Sequence, residues 1–283
     1  MEVTQLNGGI PRIHDYERLI RSELFLEMEA FSSSFLNTHR QCLEDYSKKW
    51  VSDPLHQWSR QWEYPFTYCK LASHVSYHDS KELNILDAGS GITFFPYFLK
   101  SQFTHAAIYC CDRDGNLEDV FTSMYRSNTH PITFSVSSLD HTQYKDAFFD
   151  CVYCISVIEH TNDYESIIRE LHRIIKPGGL LIATFDISID GSSEISPIAA
   201  SQLLLEIEKR FINDDGSTDI SISLRSPNIL TTKYAAKHNP RLLPWSKFTR
   251  IFRYARSVIQ NRRFNIRPST YTVYCQSFTK HTT

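Results

Sequence analysis

Five short apolar runs alternate with stretches of helical periodicity in the middle of the chain, and this alternation constrains the fold more than any other feature. The runs occupy residues 83–88, 106–111, 132–136, 149–157 and 180–185. Each is apolar along most of its length, which is typical of strands covered by helices on both faces. Strands that alternate with helices predict an α/β fold with a mostly parallel, doubly wound sheet.

Glycine placement supports this assignment. The chain has nine glycines, and five of them lie at the proposed strand junctions: Gly89, Gly91, Gly115, Gly178 and Gly179. Glycine reaches backbone conformations that other residues avoid, so its concentration at these junctions indicates tight turns. We expect a helix from about residue 163 to 175 and a turn at 176–179, before the fifth run.

The flanking segments have a different character. Apolar positions recur at helical spacing in residues 16–29, and residues 1–80 hold Trp50, Trp58 and Trp62. We therefore expect a helical N-terminal cap at 1–80, a ligand-binding core at 81–219 and a basic C-terminal extension at 220–283. The extension would complete a seven-stranded sheet and help to form the substrate site. Within the last two parts, residues 199–211 and 245–261 are predicted helices, and residues 270–278 a final strand.

Composition excludes several classes of protein. Hydrophobic residues make up 41% and charged residues 22% of the chain, which excludes collagen-like, disordered and disulfide-scaffold proteins. No apolar run approaches the roughly 18 residues of a membrane span. The N-terminal residues lack the basic and apolar regions of a signal peptide. Seven cysteines cannot all pair in disulfides, so we expect the protein to be located in the reducing cytoplasm.

Charge is distributed unevenly. The first 219 residues hold all 32 acidic residues but only 18 basic ones, and residues 220–283 hold the other 12 basic residues. The basic segment could bind nucleic acid, an anionic membrane surface or an anionic small substrate, or it could be a solvated face that pairs with the acidic part. A whole-chain isoelectric point near 6.6 makes nucleic acid the weaker functional interpretation.

The first apolar run ends in a pattern that is suited to ligand binding. Asp87 ends the strand, and Gly89 and Gly91 let a ligand approach the backbone that follows. Asp112 ends the second run, 21 residues after Gly91, where its carboxylate can accept hydrogen bonds from a ribose. The third glycine of the dinucleotide fingerprint is replaced by Phe94, which disfavours a nicotinamide oxidoreductase.

When these two segments are considered together with three others, the chain resembles the class I S-adenosylmethionine-dependent methyltransferase family. Five segments follow the family's order between residues 83 and 186: 86–91, 109–112, 138–140, 149–160 and 171–181. The family pattern has a third glycine where this chain has Thr93. The resemblance implies a Rossmann-like sheet and S-adenosylmethionine as the cofactor.

The resemblance also implies roles for individual residues in holding the cofactor. Asp87, Ala88, Gly89, Ser90 and Gly91 would contact the methionine part, and Asp112 with Arg113 would contact the ribose. Leu139 and Asp140 would contact the adenine, and Ile155 and Ser156 would lie beneath the sulfonium. Asp140 could instead only cap a turn, and Asp87 could only bind loop amides.

Glu159 and His160 follow the fourth run and are the candidate catalytic pair. Histidine titrates near neutral pH and suits a general base. Many relatives keep this pair only as a structural cap. Some relatives bind a divalent metal through Glu-x-x-Glu-His, but the first of these positions is Ser156 here, so we predict no metal site.

Two further patterns allow more than one interpretation. Cys151 and Cys154 have the spacing of a metal or redox motif, but residues three apart on a strand point to opposite faces, so we predict core thiols. The adjacent Cys110 and Cys111 receive the same prediction. Tyr64, just before the first strand, could close over the cofactor, or it could anchor the cap to the sheet through an aromatic cluster.

The sequence as a whole predicts a methyltransferase. The acceptor would be an oxygen or nitrogen of a small polar metabolite, which could be anionic or contain a sugar. The alternatives are an RNA methyltransferase and a non-catalytic adenosine-binding scaffold on the same fold. The sequence predicts no transmembrane segment, and peripheral membrane contact through the basic segment remains open, as does the oligomeric state.

Overall fold

The computed structural model describes residues 6–49, 53–77, 82–125, 131–161, 163–191, 195–216, 219–243 and 270–282. Within them the strands are β1 (Asn84–Ala88), β2 (Ala107–Asp112), β3 (Thr133–Val136), β4 (Phe149–Ile155), β5 (Ile175–Ser188), β6 (Phe211–Asn213) and β7 (Tyr271–Lys280). The helices are α1 (Ile13–Leu19), α2 (Glu23–Thr38), α3 (Glu44–Lys49), α4 (Arg60–Tyr77), α5 (Phe95–Gln102), α6 (Leu117–Tyr125), α7 (Tyr164–Ile174), α8 (Pro197–Glu208), α9 (Ile220–Ser223) and α10 (Thr232–His238). Short 3-10 turns lie at Ile158–His160 and Pro240–Leu242.

The strands form one seven-stranded sheet in the order β3-β2-β1-β4-β5-β7-β6. The pairs from β3 to β5 are parallel, whereas β7 runs antiparallel to both β5 and β6. The predicted α/β class with a mostly parallel seven-stranded sheet is confirmed. The chain leaves β1 toward β2 on one side and returns to β4 on the other, and a crevice opens at such a reversal at the carboxyl ends of the strands.

Two hydrophobic cores lie on the two faces of this sheet. One core contains side chains of α2, α4, α5 and α6, and the other contains side chains of α7, α8 and α9. Alternate strand residues contribute to different cores, because side chains on a strand point to opposite faces. Cys110 and Cys151 belong to the first core, and Cys111 and Cys154 to the second. The prediction that these cysteines are core thiols on opposite faces is confirmed.

The segment before β1 is mostly helical where the structure describes it, as predicted. Helix α4 packs against β4, β5 and β7, with Phe66 and Leu71 fully buried. Trp58 and Trp62 are also buried, whereas Trp50 lies outside the described residues. A helix of the predicted cap thus covers one face of the sheet. The division of the chain at residues 80 and 219 stays a prediction.

Two details differ from the sequence-based expectations. The turn predicted at 176–179 is part of β5, which begins at Ile175 and passes through Gly178 at φ +74°. A Cβ on Gly179 would lie 2.8 Å from the carbonyl oxygen of Asp150, so glycine lets β5 run close to β4 here. The predicted helix at 199–211 is α8, which ends at Glu208 and is followed by β6.

The basic helix predicted at 245–261 lies outside the described residues, and so do most residues of that basic segment. No helix in the described part of the chain is long and apolar enough to cross a membrane.

Candidate functional site

The loop after β1 wraps around the carboxyl end of β2. The amides of Gly89 and Ser90 donate to the carbonyl oxygen of Cys111 at 2.9 and 3.0 Å. The amide of Gly91 donates to Oδ2 of Asp112 at 3.0 Å. Gly89 and Gly91 both have positive φ, +79° and +49°, a region that favours glycine. The sequence-predicted loop and Asp112 are therefore in direct contact.

The same loop leaves no room for larger side chains. A Cβ on Gly89 would lie 2.7 Å from the side chain of Val157, and one on Gly91 would lie 2.7 Å from the hydroxyl of Tyr46. Tyr46 comes from α3, and its hydroxyl accepts a hydrogen bond from the amide of Ile92 at 3.0 Å. Sequence reasoning missed Tyr46, because nothing local to residue 46 indicates contact with a loop more than forty residues away.

Two carboxylates flank this loop in different environments. Asp87 is buried, and burial raises its pKa to about 8. Asp112 is half-buried, and its Oδ1 accepts from the amide of Asp114 at 3.0 Å while Oδ2 accepts from Gly91. Two backbone amides therefore fix the orientation of the Asp112 carboxylate, and a carboxylate oxygen has lone pairs for further donors.

The carboxyl end of β4, which pairs with β1, lies where we expect the floor of the crevice. Ile155 and Ser156 are buried there, and Ser156 has φ +48°, an uncommon conformation for a residue with a side chain. The amide of Ser156 donates to the carbonyl oxygen of Thr184 at 3.0 Å, which ties β4 to β5. Non-glycine residues with positive φ persist where surrounding contacts hold them, and they occur often at functional sites.

A buried ion pair from α4 lies against this floor. Arg60 donates to Glu63 and, at 2.5 Å, to the hydroxyl of Ser156. Burial opposes the charged form of Arg60, but the neighbouring carboxylate of Glu63 outweighs it and the pKa of Arg60 is raised. Sequence reasoning identified the aromatic residues on both sides of Glu63 but not the pair itself. A helical spacing of three between an arginine and a glutamate was the available signal.

Glu159 and His160 occupy adjacent positions but different environments. Glu159 is buried, and its Oε1 accepts from the amide of Asp186 at 3.2 Å. Its Oε2 has no hydrogen-bond partner among the described residues, and burial raises the pKa of Glu159 to about 8. His160 is exposed at the end of the 3-10 turn. Glu159 is thus buried after the end of β4, whereas His160 is exposed, and the catalytic roles of both residues stay predictions.

The remaining predicted site residues lie around the same edge of the sheet. Arg113 is exposed immediately after Asp112. After β3, Leu139 is buried, and Asp140 is exposed and accepts a hydrogen bond from the hydroxyl of Ser138. Tyr64 is buried and stacks on Phe95 with ring centroids 4.7 Å apart, which is the arrangement expected of an anchoring cluster. The roles of all these residues as cofactor contacts stay predictions.

These observations bear on which ligand the crevice can hold. The loop Gly89–Gly91 accommodates close approach of a ligand to the backbone, and the fixed carboxylate of Asp112 suits a diol. These properties fit a nucleoside with an amino-acid group. In the described part of the chain, no group of three or more His, Cys, Asp and Glu side chains is arranged to hold a metal ion.

Comparisons with known proteins match this region. A family model described as "Methyltransferase domain" matches residues 86–183. The ubiquinone biosynthesis O-methyltransferase of Rickettsia akari (strain Hartford) is 33% identical over 114 residues, which cover 40% of this chain and 43% of that relative. The tRNA U34 carboxymethyltransferase of Ruthia magnifica subsp. Calyptogena magnifica is 23% identical over 212 residues, covering 68% of this chain and 63% of that relative.

Among solved structures, a Galdieria sulphuraria protein named as a sarcosine dimethylglycine methyltransferase shares the fold. Its TM-score is 0.50 at 18% identity, over 76% of this chain and 86% of that chain. The alignment with the Rickettsia relative spans less than half of that protein's length.

Proposed function

Because this chain belongs, through its domain at residues 86–183, to the class I S-adenosylmethionine-dependent methyltransferases, we propose that it methylates an oxygen or nitrogen of a small polar acceptor. S-adenosylmethionine is the cofactor of this domain. The acceptor class and the assignment of individual residues belong to the proposal.

One observation carries the proposal: Asp112 lies against the glycine loop, with the Gly91 amide on its carboxylate at 3.0 Å. The loop and the carboxylate come from neighbouring parallel strands, so a ligand can contact both at once. We assign the loop Gly89–Gly91 to the methionine part of the cofactor and Asp112 to the ribose hydroxyls. Leu139 and Asp140, after β3, would contact the adenine.

The bound cofactor supplies an electrophilic methyl group whose departure leaves a neutral thioether. The protein must then align the nucleophile with this methyl group and accept the proton that the nucleophile loses. Glu159 is our candidate for taking that proton, because its buried Oε2 is unpartnered among the described residues and burial raises its pKa to about 8. A base with a pKa near the working pH transfers protons efficiently.

A nucleic-acid acceptor is the second candidate. Two observations favour it: a tRNA-modifying relative aligns with 68% of the chain, and residues 220–283 contain twelve basic and no acidic residues. Gel-shift titration with tRNA at several salt concentrations tests this candidate. Binding that weakens steeply with salt supports it, and no binding at low salt excludes it.

A non-catalytic adenosine-binding scaffold is the third candidate. It would bind the cofactor and never consume it. Cofactor consumption is measured with panels of hydroxyl- and amine-bearing acceptors, and turnover with any of them excludes the scaffold.

Calorimetric titration with S-adenosylhomocysteine tests the proposed function, with NAD and NADP as controls. Replacement Asp112→Asn removes the charge from the ribose ligand, and we expect a loss of about 1–3 kcal/mol in binding. Asp119→Asn is the matched control, because Asp119 is exposed on α6. Equal affinities of the two variants would contradict the assignment of Asp112, and a preference for NAD would contradict the proposed function.

A further inference from the structure

Glu63 has an environment that sets it apart from the other acidic residues of the N-terminal helices. Its side chain is fully buried, and three groups from three parts of the chain donate hydrogen bonds to it. Oε1 accepts from the hydroxyl of Ser156 at 2.8 Å and from the hydroxyl of Thr184, and Oε2 accepts from Arg60. Both oxygens of this buried carboxylate are therefore paired.

The three donors connect α4 to the floor of the crevice. Ser156 follows the last residue of β4, and Thr184 lies in β5 beside it. Their contacts close a ring, because the amide of Ser156 also donates to Oγ1 of Thr184 at 3.3 Å. Arg60 completes the ring by donating to the hydroxyl of Ser156 at 2.5 Å. Helix α4 therefore contacts the end of β4 and the neighbouring strand β5 through one carboxylate.

This ring explains how Ser156 retains its left-handed backbone. A serine at φ +48° is strained unless its surroundings determine the conformation. Here the amide and the hydroxyl of Ser156 are both engaged, by β5 on one side and by α4 on the other. The hydroxyl loses both of its partners on α4 if Glu63 and Arg60 are replaced together.

We propose that Glu63, oriented by Arg60, is a positioning residue of the methyl-transfer site: it fixes Ser156 and Thr184 and so determines the shape of the floor beneath the cofactor. This inference rests on the proposed function, because it assigns the floor to the cofactor. It also makes α4 a component of the site in addition to a cover for the sheet.

A purely stabilising ion pair would behave differently on substitution. Replacing a buried ion pair by apolar residues of similar volume is often neutral for stability, whereas removing one partner leaves an unpaired buried charge. The double variant Arg60→Met/Glu63→Met leaves no unpaired buried charge, but the hydroxyls of Ser156 and Thr184 lose their acceptor. It should therefore remain folded, with some loss of stability, while the ring is lost. The single variant Glu63→Gln keeps an acceptor for both hydroxyls but leaves Arg60 without its carboxylate.

The experiment measures two quantities for each variant: the urea midpoint of unfolding and the dissociation constant for S-adenosylhomocysteine. We expect the double variant to unfold at a urea midpoint between those of Glu63→Gln and the wild type, because two buried hydroxyls lose their acceptor. We expect it to bind about tenfold more weakly than the wild type, the effect of losing a charged hydrogen-bond network. We expect Glu63→Gln to unfold at a lower urea concentration and yet to bind more tightly than the double variant.

Lys70→Gln is the matched control. Lys70 lies on the same helix and pairs with Asp215 at 2.9 Å, away from Ser156. This variant should bind S-adenosylhomocysteine as the wild type does. The inference is overturned if the double variant binds like the wild type, or if stability and affinity fall in the same order across all variants. If wild-type protein does not bind S-adenosylhomocysteine at all, the proposed function itself fails.

Discussion

Replacement of Gly91 by alanine tests the geometry of the loop after β1, which we propose holds the cofactor. Gly91 lies at φ +49°, and an alanine there costs about 1–2 kcal/mol of backbone strain. Its Cβ would also lie 2.7 Å from the hydroxyl of Tyr46, and such overpacking adds about 1–3 kcal/mol. We therefore expect Gly91→Ala to lower the free energy of unfolding by about 2–5 kcal/mol.

Two further variants separate the two costs. Gly216 has φ +80°, and a Cβ added there would meet no atom within 4 Å, so Gly216→Ala should cost only the strain, about 1–2 kcal/mol. Tyr46→Phe removes the hydroxyl and its hydrogen bond to Ile92, a loss of about 0.5–1.5 kcal/mol. In the double variant Gly91→Ala/Tyr46→Phe the clash is absent, because the next ring atom lies 3.9 Å away.

Urea denaturation of the wild type, the three single variants and the double variant gives the interaction energy. We expect the double variant to be about 1–2 kcal/mol more stable than the sum of the two single changes predicts. Additive effects, or equal costs at Gly91 and Gly216, would refute the placement of Tyr46 against the loop.

Three further predictions concern titration and reactivity. Burial raises the pKa of Glu170, but hydrogen bonds from Arg173 and Thr142 outweigh it and hold the pKa at about 2. Glu170→Gln should therefore lower the free energy of unfolding by about 2–3 kcal/mol at pH 7. In urea titrations, the difference in this free energy between the variant and the wild type should vanish as the pH falls from about 4.5 to about 2. A difference that does not depend on pH would contradict this. A thiol reagent should label only the half-buried Cys42 among the described cysteines of the native protein, because the other described cysteines are buried; early labelling of Cys154 would contradict the core assignment. If Glu159 accepts the proton, the rate with an identified acceptor should rise with pH through about 8, and Glu159→Gln should remove that rise; an unchanged profile would exclude Glu159 as the base.

The sequence alone predicts those strands of the sheet that a local pattern determines. The five apolar runs correspond to β1–β5, because a strand buried on both faces must be apolar along its length. The beginning of β5 was missed, because a proline and two glycines ordinarily interrupt a strand. Here Gly179 is needed for close approach to β4. Strand β6 has three residues, too few for a pattern to show.

In the candidate site, too, the residues that belong to a local sequence pattern could be predicted and the others could not. Asp87, the glycine loop and Asp112 could be named from the sequence, because each lies at the end of a recognisable strand. Arg60 and Tyr46 could not, because their contacts with Ser156 and Ile92 join residues 96 and 46 positions apart. Such contacts depend on how α3 and α4 pack on the sheet. That packing is a property of the folded chain and leaves no local pattern.

A crystal structure with bound S-adenosylhomocysteine tests the central claim most directly. We predict that the ribose hydroxyls lie within hydrogen-bond distance of the Asp112 carboxylate, with the amino-acid end against the loop Gly89–Gly91. We also predict that the sulfur lies above Ser156. Electron density for the ligand elsewhere on the protein, or at this crevice with Asp112 still bound only to its two backbone amides, would contradict these assignments.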